Sequence, residues 1–171
     1  VLKFQPMAKI TALDFSSEML ELANQQQGEI AHGLNYIRGD AMAPPFPKKY
    51  FEAITVGYGL RNVADLSACI KNILSLLKPS GVLVCLDVGK VNIPVIAQLN
   101  RFYFFKIVPL IGKWLMPGQE MFDYLPHSSI NYPDQKKLKK ILLEEGFQKV
   151  DVYDFVFGAS TIHVAHKPSS S

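Results

Sequence analysis

The segment Gly57-Tyr58-Gly59-Leu60-Arg61-Asn62-Val63 gathers two glycines that let backbone approach a ligand, a permanent cation and a side-chain amide. It directly follows the apolar run Phe51 to Val56, which reads as a buried parallel strand. Ligands of open α/β sheets lie in the crevice beyond the carboxyl ends of the strands, so Arg61 and Asn62 are candidate catalytic groups. Arg61 suits an oxyanion that develops during reaction; its structural alternative is a clamp on a nearby acid. Asp14 and Asp40 also end apolar strands. A carboxylate there can accept two ribose hydroxyls, and Asp14 is read that way, alongside a role in starting the helix at Ser16. Asp40, followed by Ala41 and Met42, suits an exocyclic amine with Met42 packed on a heterocycle, or a plain loop cap. His127 has the intrinsic pKa of a general base, though a lone loop histidine is more often a surface residue.

Alternating strands and helices must position these groups. Ile10 to Asp14 reads as a short strand, and Ser16 caps a helix to about Gln27 with Glu18 in its first turn. Gly28 and Gly33 break the pattern, Tyr36 to Arg38 starts the next strand, and Pro44, Pro45 and Pro47 force an irregular loop. Leu66, Ile70, Ile73, Leu74 and Leu77 recur at helical spacing until Pro79 and Gly81, and Val82 to Asp87 is a buried strand. Pro133 and Asp134 open a helix with Leu138, Ile141 and Leu142 on its apolar side and Gly146 at its end. Lys136, Lys137, Lys139 and Lys140 fall on the opposite, solvated side. Val150 to Phe155 and Phe157 to Ala165 are joined so tightly that only an antiparallel hairpin fits, which reverses the last strand of an otherwise parallel sheet.

The fold class is therefore α/β and Rossmann-like, with residues 1–168 as one domain and residues 169–171 as a disordered tail. Residues 90–133 interrupt the alternation with many aromatics, and are read as a substrate lid. A nucleotide-binding sheet opens with a strand and a glycine-rich turn, and no G-x-G pattern precedes Ile10. The strand at Phe51 is accordingly expected to have an unpaired edge, leaving the sheet split or the chain self-associated as a homo-oligomer, with weak cofactor binding.

The 171 residues are 49% hydrophobic and 19% charged with a formal net charge of +3, enough for a core and too weakly basic to point to nucleic acid. Cys69 and Cys85 lack metal-ligand spacing, so no metal site is expected; as buried thiols they favour a reducing intracellular compartment over secretion. His163 and His166 on the last strand read as structural.

Leu13-Asp14-Phe15-Ser16 with Met19-Leu20, Gly39-Asp40-Ala41, Gly57 to Val63, Leu77-Lys78-Pro79-Ser80-Gly81, and Tyr124-Leu125-Pro126 through Tyr132-Pro133-Asp134-Gln135 carry a resemblance over nearly the whole chain. Together they resemble the ubiquinone/menaquinone biosynthesis C-methyltransferases. The resemblance implies a class I fold and S-adenosyl-L-methionine as cofactor, with Asp14 and Phe15 at the ribose, Asp40, Ala41 and Met42 at the adenine, and Gly57 at the methionine end. It implies a prenylated or phytylated quinol as substrate, for whose reacting ring Arg61, Asn62 and His127 are the candidates by their own chemistry, and the apolar insertion suits a peripheral membrane contact. Ser80, Asp87 and Gly57 depart from the family's usual Gly, Glu and Ser. A nicotinamide oxidoreductase would share the ribose acid but not the reversed hairpin, and a non-catalytic methyltransferase-like protein would share every feature.

Overall fold

The computed structural model of the chain describes residue 5, residues 7–26, 34–91 and 132–170, and positions 93, 98, 102 and 107. His127, most of the 90–133 insertion and Ser171 lie outside the described residues. The chain forms two compact units, residues 1–46 and 47–171.

In the first unit, strand β1 (Ile10–Asp14) and strand β2 (Leu34–Arg38) pair in parallel, with Asp14 opposite Arg38. Helix α1 (Ser17–Gln25) lies between them in sequence, and it starts where Ser16 lends a side-chain acceptor to Met19 N–H at 3.3 Å.

The second unit holds β3 (Phe51–Gly57), α2 (Leu66–Leu76), β4 (Leu77–Val88), α3 (Gln135–Glu144), β5 (Lys149–Phe155) and β6 (Ser160–His166). Its sheet runs β3-β4-β6-β5, with β3 and β4 parallel and β6 antiparallel to both of its neighbours. The hairpin therefore inserts the reversed strand between β4 and β5, as the short connection requires. Strand β3 is the end strand of this sheet, and the expectation that it is buried does not hold: Glu52, Ala53, Thr55 and Gly57 are exposed. Among the described residues β3 has a ladder partner on one side only, and its apolar residues are half covered.

Helix α2 stops at Leu76, short of Pro79, and the chain passes straight into β4. Proline disfavours helical backbone at the residue before it, so Lys78 is extended rather than helical. The register then jumps from Phe51 opposite Leu77 to Ala53 opposite Val82. Within this bulged stretch Ser80 is left-handed at φ 61°, which accounts for the glycine that the family resemblance leads one to expect there. The Lys167 ammonium donates to Leu74 O and Leu77 O, both at 2.9 Å, and closes the carbonyl end of α2.

One buried row crosses β4 and β6: Leu83 opposite Ala165, Cys85 opposite His163, and Asp87 opposite Thr161. Helix α2 packs on β4, and α3 on β5 and β6. Asp134 caps α3 by accepting from Lys137 N–H at 2.8 Å; Leu138 and Leu142 are buried while Lys136, Lys137, Lys139 and Lys140 are exposed. Strand β6 begins at Ser160 rather than Phe157, because Val156 (φ 50°), Phe157 (φ 59°) and Gly158 (φ 92°) form a left-handed turn that no strand can contain. Cys69 and Cys85 are buried, and neither is in a disulfide. Among the described residues, no helix is long and apolar enough to cross a membrane.

Two outcomes follow from these contacts. Ser80→Gly should raise stability by about 1 kcal/mol by removing the left-handed penalty, read as a higher unfolding midpoint in denaturant; an unchanged midpoint would show that the strain is already relieved. His163 Nε2 lies 3.0 Å from Gln135 O, and burial holds the imidazole pKa below its ordinary 6.5. The unfolded chain then takes up this proton before the folded one does, so the contribution is whole above pH 6.5 and declines as pH falls from there toward the folded value. His163→Gln should flatten that part of the stability curve in urea titrations run at successive pH values.

Candidate functional site

The first unit gathers its polar groups at the carboxyl edge of β1 and β2. Asp14 ends β1, and Gly39 N–H donates to its carbonyl at 3.0 Å, which fixes the exit of β2 beside it. Asp14 Oδ1 accepts from Ser16 N–H at 2.8 Å, so one carboxylate oxygen shapes the turn into α1 while Oδ2 takes no part in it. Asp40 Oδ1 likewise accepts from Met42 N–H at 2.8 Å, the loop cap that was the plainer of its two readings. Phe15 is 78% exposed beyond Asp14, and Arg38 Nε donates to its carbonyl at 3.2 Å. Asp14, Phe15, Asp40, Ala41 and Met42 thus share one edge, whose donor set fits a nucleoside: carboxylates for hydroxyl or amine hydrogens beside an exposed aromatic ring and a thioether. Arg38 escaped the sequence reading; an arginine just before a strand-end acid was the available signal.

The second unit builds a different constellation beyond β3 and β4. Tyr58 N–H donates to Leu86 O at 2.8 Å, and Tyr58 itself is left-handed at φ 55°. The chain then turns through one short 3-10 turn, Leu60–Asn62, in which Leu60 is buried, Asn62 is exposed and Arg61 folds inward. Arg61 Nη1 stands 3.4 Å from Asp87 Oδ1, with side chains 7% and 3% exposed. This is the clamp on a nearby acid. The Tyr58 ring lies 5.3 Å from the guanidinium carbon and forms a cation–π contact. Gly57 is exposed, and a Cβ there would meet nothing within 4 Å, so the Ser suggested by the resemblance would fit.

Burial raises the Asp87 carboxyl above its ordinary range, against the Val88 N–H at 2.8 Å and the Arg61 charge, which favour the carboxylate. Burial also pushes the neighbouring Cys85 thiol up to about 12 and raises Tyr132 well above the usual phenol range. Arg61 Nε and Asp87 Oδ2 are buried without a hydrogen-bond partner, and buried Tyr132 Oη has beside it only the Cys85 thiol. Among the described residues no group of His, Cys, Asp and Glu has the arrangement of a metal site.

Residues 2–167, which contain both strand-end constellations, match a single family model, described as the ubiE/COQ5 methyltransferase family. The chain belongs to the ubiE/COQ5 methyltransferase family. It is 48% identical over 164 residues to the demethylmenaquinone methyltransferase of Leptospira interrogans, covering 94% of this chain and 66% of that protein. The demethylmenaquinone methyltransferase of Staphylococcus haemolyticus is 34% identical, with 95% and 68% covered. The chain thus spans about two thirds of the length of these curated relatives. A solved S-adenosylmethionine-dependent methyltransferase from Thermotoga maritima superposes with a TM-score of 0.66 at 16% identity, covering 92% of this chain and 72% of that one, a likeness that shows the fold alone. It is the Rossmann-like fold of class I methyltransferases.

The strand-end position makes Arg61 and Asn62 conspicuous in the sequence, whereas nothing local marks Asp87 and Tyr132 as their neighbours. The adjacency of β3 and β4 was the missing signal, since it places the residue after Leu86 next to the turn after Gly57. Asp87→Ala should cost about 3–5 kcal/mol, because it strands a buried guanidinium, whereas Arg61→Met combined with Asp87→Leu should recover most of that loss. Denaturant unfolding of the three proteins checks it; equal losses in single and double variants would mean that the pair contributes through packing alone.

Proposed function

We propose that the protein carrying this chain is an S-adenosyl-L-methionine-dependent C-methyltransferase acting on a prenylated or phytylated quinol in quinone biosynthesis. The observation that carries the reading is the shared carboxyl edge of β1 and β2, where Asp14 and Asp40 stand at the ends of adjacent parallel strands in a chain of this family. Asp14 Oδ2 accepts ribose hydroxyl hydrogens, with Phe15 beside it, and Asp40, Ala41 and Met42 take the adenine. When bound, S-adenosyl-L-methionine supplies a methyl group on a positively charged sulfur.

Methylation at carbon needs an electron-rich ring, hence a ring hydroxyl that gives up its proton as the methyl arrives. In the second unit Arg61 holds positive charge in a water-poor setting, where it favours the ring oxyanion far more than it would in water, and exposed Asn62 orients the ring. The names of the two relatives favour a demethylated naphthoquinol of menaquinone type; a phylloquinone or ubiquinone precursor shares the same ring chemistry. Such a substrate has a long apolar tail, which supports contact with a membrane surface. Buried thiols at Cys69 and Cys85 support a reducing intracellular compartment.

Transfer of labelled methyl from S-adenosyl-L-methionine to a short-chain demethylmenaquinol by the full-length protein tests the reading directly, and a folded protein with no transfer would refute it. In the same protein Asp14→Ala should weaken S-adenosyl-L-methionine by about 1–3 kcal/mol, the scale of a lost charge-assisted hydrogen-bond pair. Calorimetry showing unchanged affinity would remove Asp14 from the site.

A further inference from the structure

Three polar atoms of one small region are buried short of full pairing: Arg61 Nε, which can only donate, and Asp87 Oδ2, which accepts when ionised, have no hydrogen-bond partner, and Tyr132 Oη, which does both, has beside it only the Cys85 thiol, a weak partner. Their side chains come from the turn after β3, from the end of β4 and from just before α3, and each residue's side chain or surface is at least nine-tenths covered. Buried polar atoms in native proteins are nearly always paired, so an unpaired guanidinium N–H and an unpaired carboxylate oxygen in electrostatic reach of a phenol held only by a thiol call for a ligand. The complement of one anionic acceptor, one cationic donor and one phenol is a hydroxyl group.

The covering side chain is itself informative. Tyr58 lies over Arg61, is 43% exposed, and sits in a left-handed conformation that a tyrosine seldom adopts. Tyr58 is thus the partly exposed side chain that lies against the guanidinium, and the one that must move for a flat ring to reach it.

We propose that Asp87 is the proton acceptor for an aromatic ring hydroxyl seated between Arg61 and Tyr132, with Tyr58 as the movable cover. This rests on the proposed quinol reading and adds the base to it. The ring O–H bond breaks, its proton bonds to Asp87 Oδ2, and its electron pair stays on the ring oxygen against Arg61 Nε–H and Tyr132 O–H. The electron-rich ring carbon forms its bond to the methyl group as the sulfur–methyl bond breaks, the sulfur keeping that pair. The same ring carbon then loses its hydrogen to solvent as a proton, and Asp87 returns the first proton to the ring oxygen, for a net release of one proton. Burial raises the Asp87 carboxyl pKa above its ordinary value, toward the working range of a base. The titratable and charged groups facing it are Arg61 from the turn, Cys85 on its own strand, Tyr132 before α3 and His163 on β6.

The test uses 1-naphthol, a redox-stable phenol, titrated by fluorescence into the full-length protein without methyl donor. Tyr132→Phe deletes a buried hydroxyl whose one partner is a weakly bonding thiol, so its melting temperature should change little while naphthol affinity falls about fivefold to tenfold. Asp87→Asn should abolish the wild-type rise in affinity as pH climbs through the Asp87 pKa; if that variant is unfolded at the assay temperature, Tyr132→Phe decides. Wild-type affinity in folded Tyr132→Phe, or an unaltered pH profile in folded Asp87→Asn, overturns the proposal. Parallel calorimetry with S-adenosyl-L-methionine separates the two levels: a wild-type protein that takes up the donor while both variants bind naphthol normally loses only the base, and one that takes up neither molecule loses the methyltransferase reading as well.

Discussion

The buried row shared by β4 and β6 becomes more polar along its length, from Leu83 and Ala165 through Cys85 and His163 to Asp87 and Thr161. Placing a carboxylate at the end of an apolar row costs several kcal/mol, and the surrounding structure is arranged to offset that cost. Val88 N–H and Arg61 both reach Asp87 Oδ1, Thr161 turns its hydroxyl to Asp154 at 3.1 Å, and His163 is held neutral against Gln135 O. Arg61 can arrive only because the chain reverses at Tyr58 and because Leu60, 2% exposed, pins the short turn to the core. The Leu-Arg-Asn sequence is thus three different environments in three residues: core, ion pair and solvent.

A second knot secures the same end of the sheet. Gln135 is buried, accepts from Lys90 N–H at 3.0 Å, and donates to Lys90 O at 3.0 Å and Gly158 O at 3.1 Å. Asp134 before it caps α3, so the Pro-Asp-Gln run starts a helix and ties it to β4 and the hairpin turn in consecutive positions. Gly89 is required by this closeness, since a Cβ there would stand 2.3 Å from Gly158 O. The main-chain path beside Asp87 therefore has no slack.

Much of this was legible in advance. Strand β1, the Ser16 and Asp134 caps, the lysine-rich face of α3 and the reversed β6 all follow from local pattern, because apolar period, capping chemistry and a very short connection are local properties. The exposed face of β3 was not legible, since an apolar run says nothing about which neighbours cover it. Nor was the β6 start at Ser160, where a left-handed turn occupies residues whose β-branched and aromatic character reads as strand. Asp14, Asp40 and Arg61 were found from their position at strand ends. Tyr132 and Gln135 were seen as family motif residues without a physical role, because their partners lie far away in sequence.

The ladder between β4 and β6 joins Val82 to His166, and Lys167 reaches back to the carbonyls of Leu74 and Leu77. A ribosome therefore releases α2, β3 and β4 long before the segment that completes them, at roughly 5–20 residues per second. During that interval β4 can pair with β3 alone, and its other edge, with Leu83 and Cys85 uncovered, stays open to any extended chain nearby. Strand β6 with Lys167 acts as the latch on a sheet begun in the middle of the chain, so a nascent protein stalled before that strand would be the form most exposed to chaperones and to aggregation.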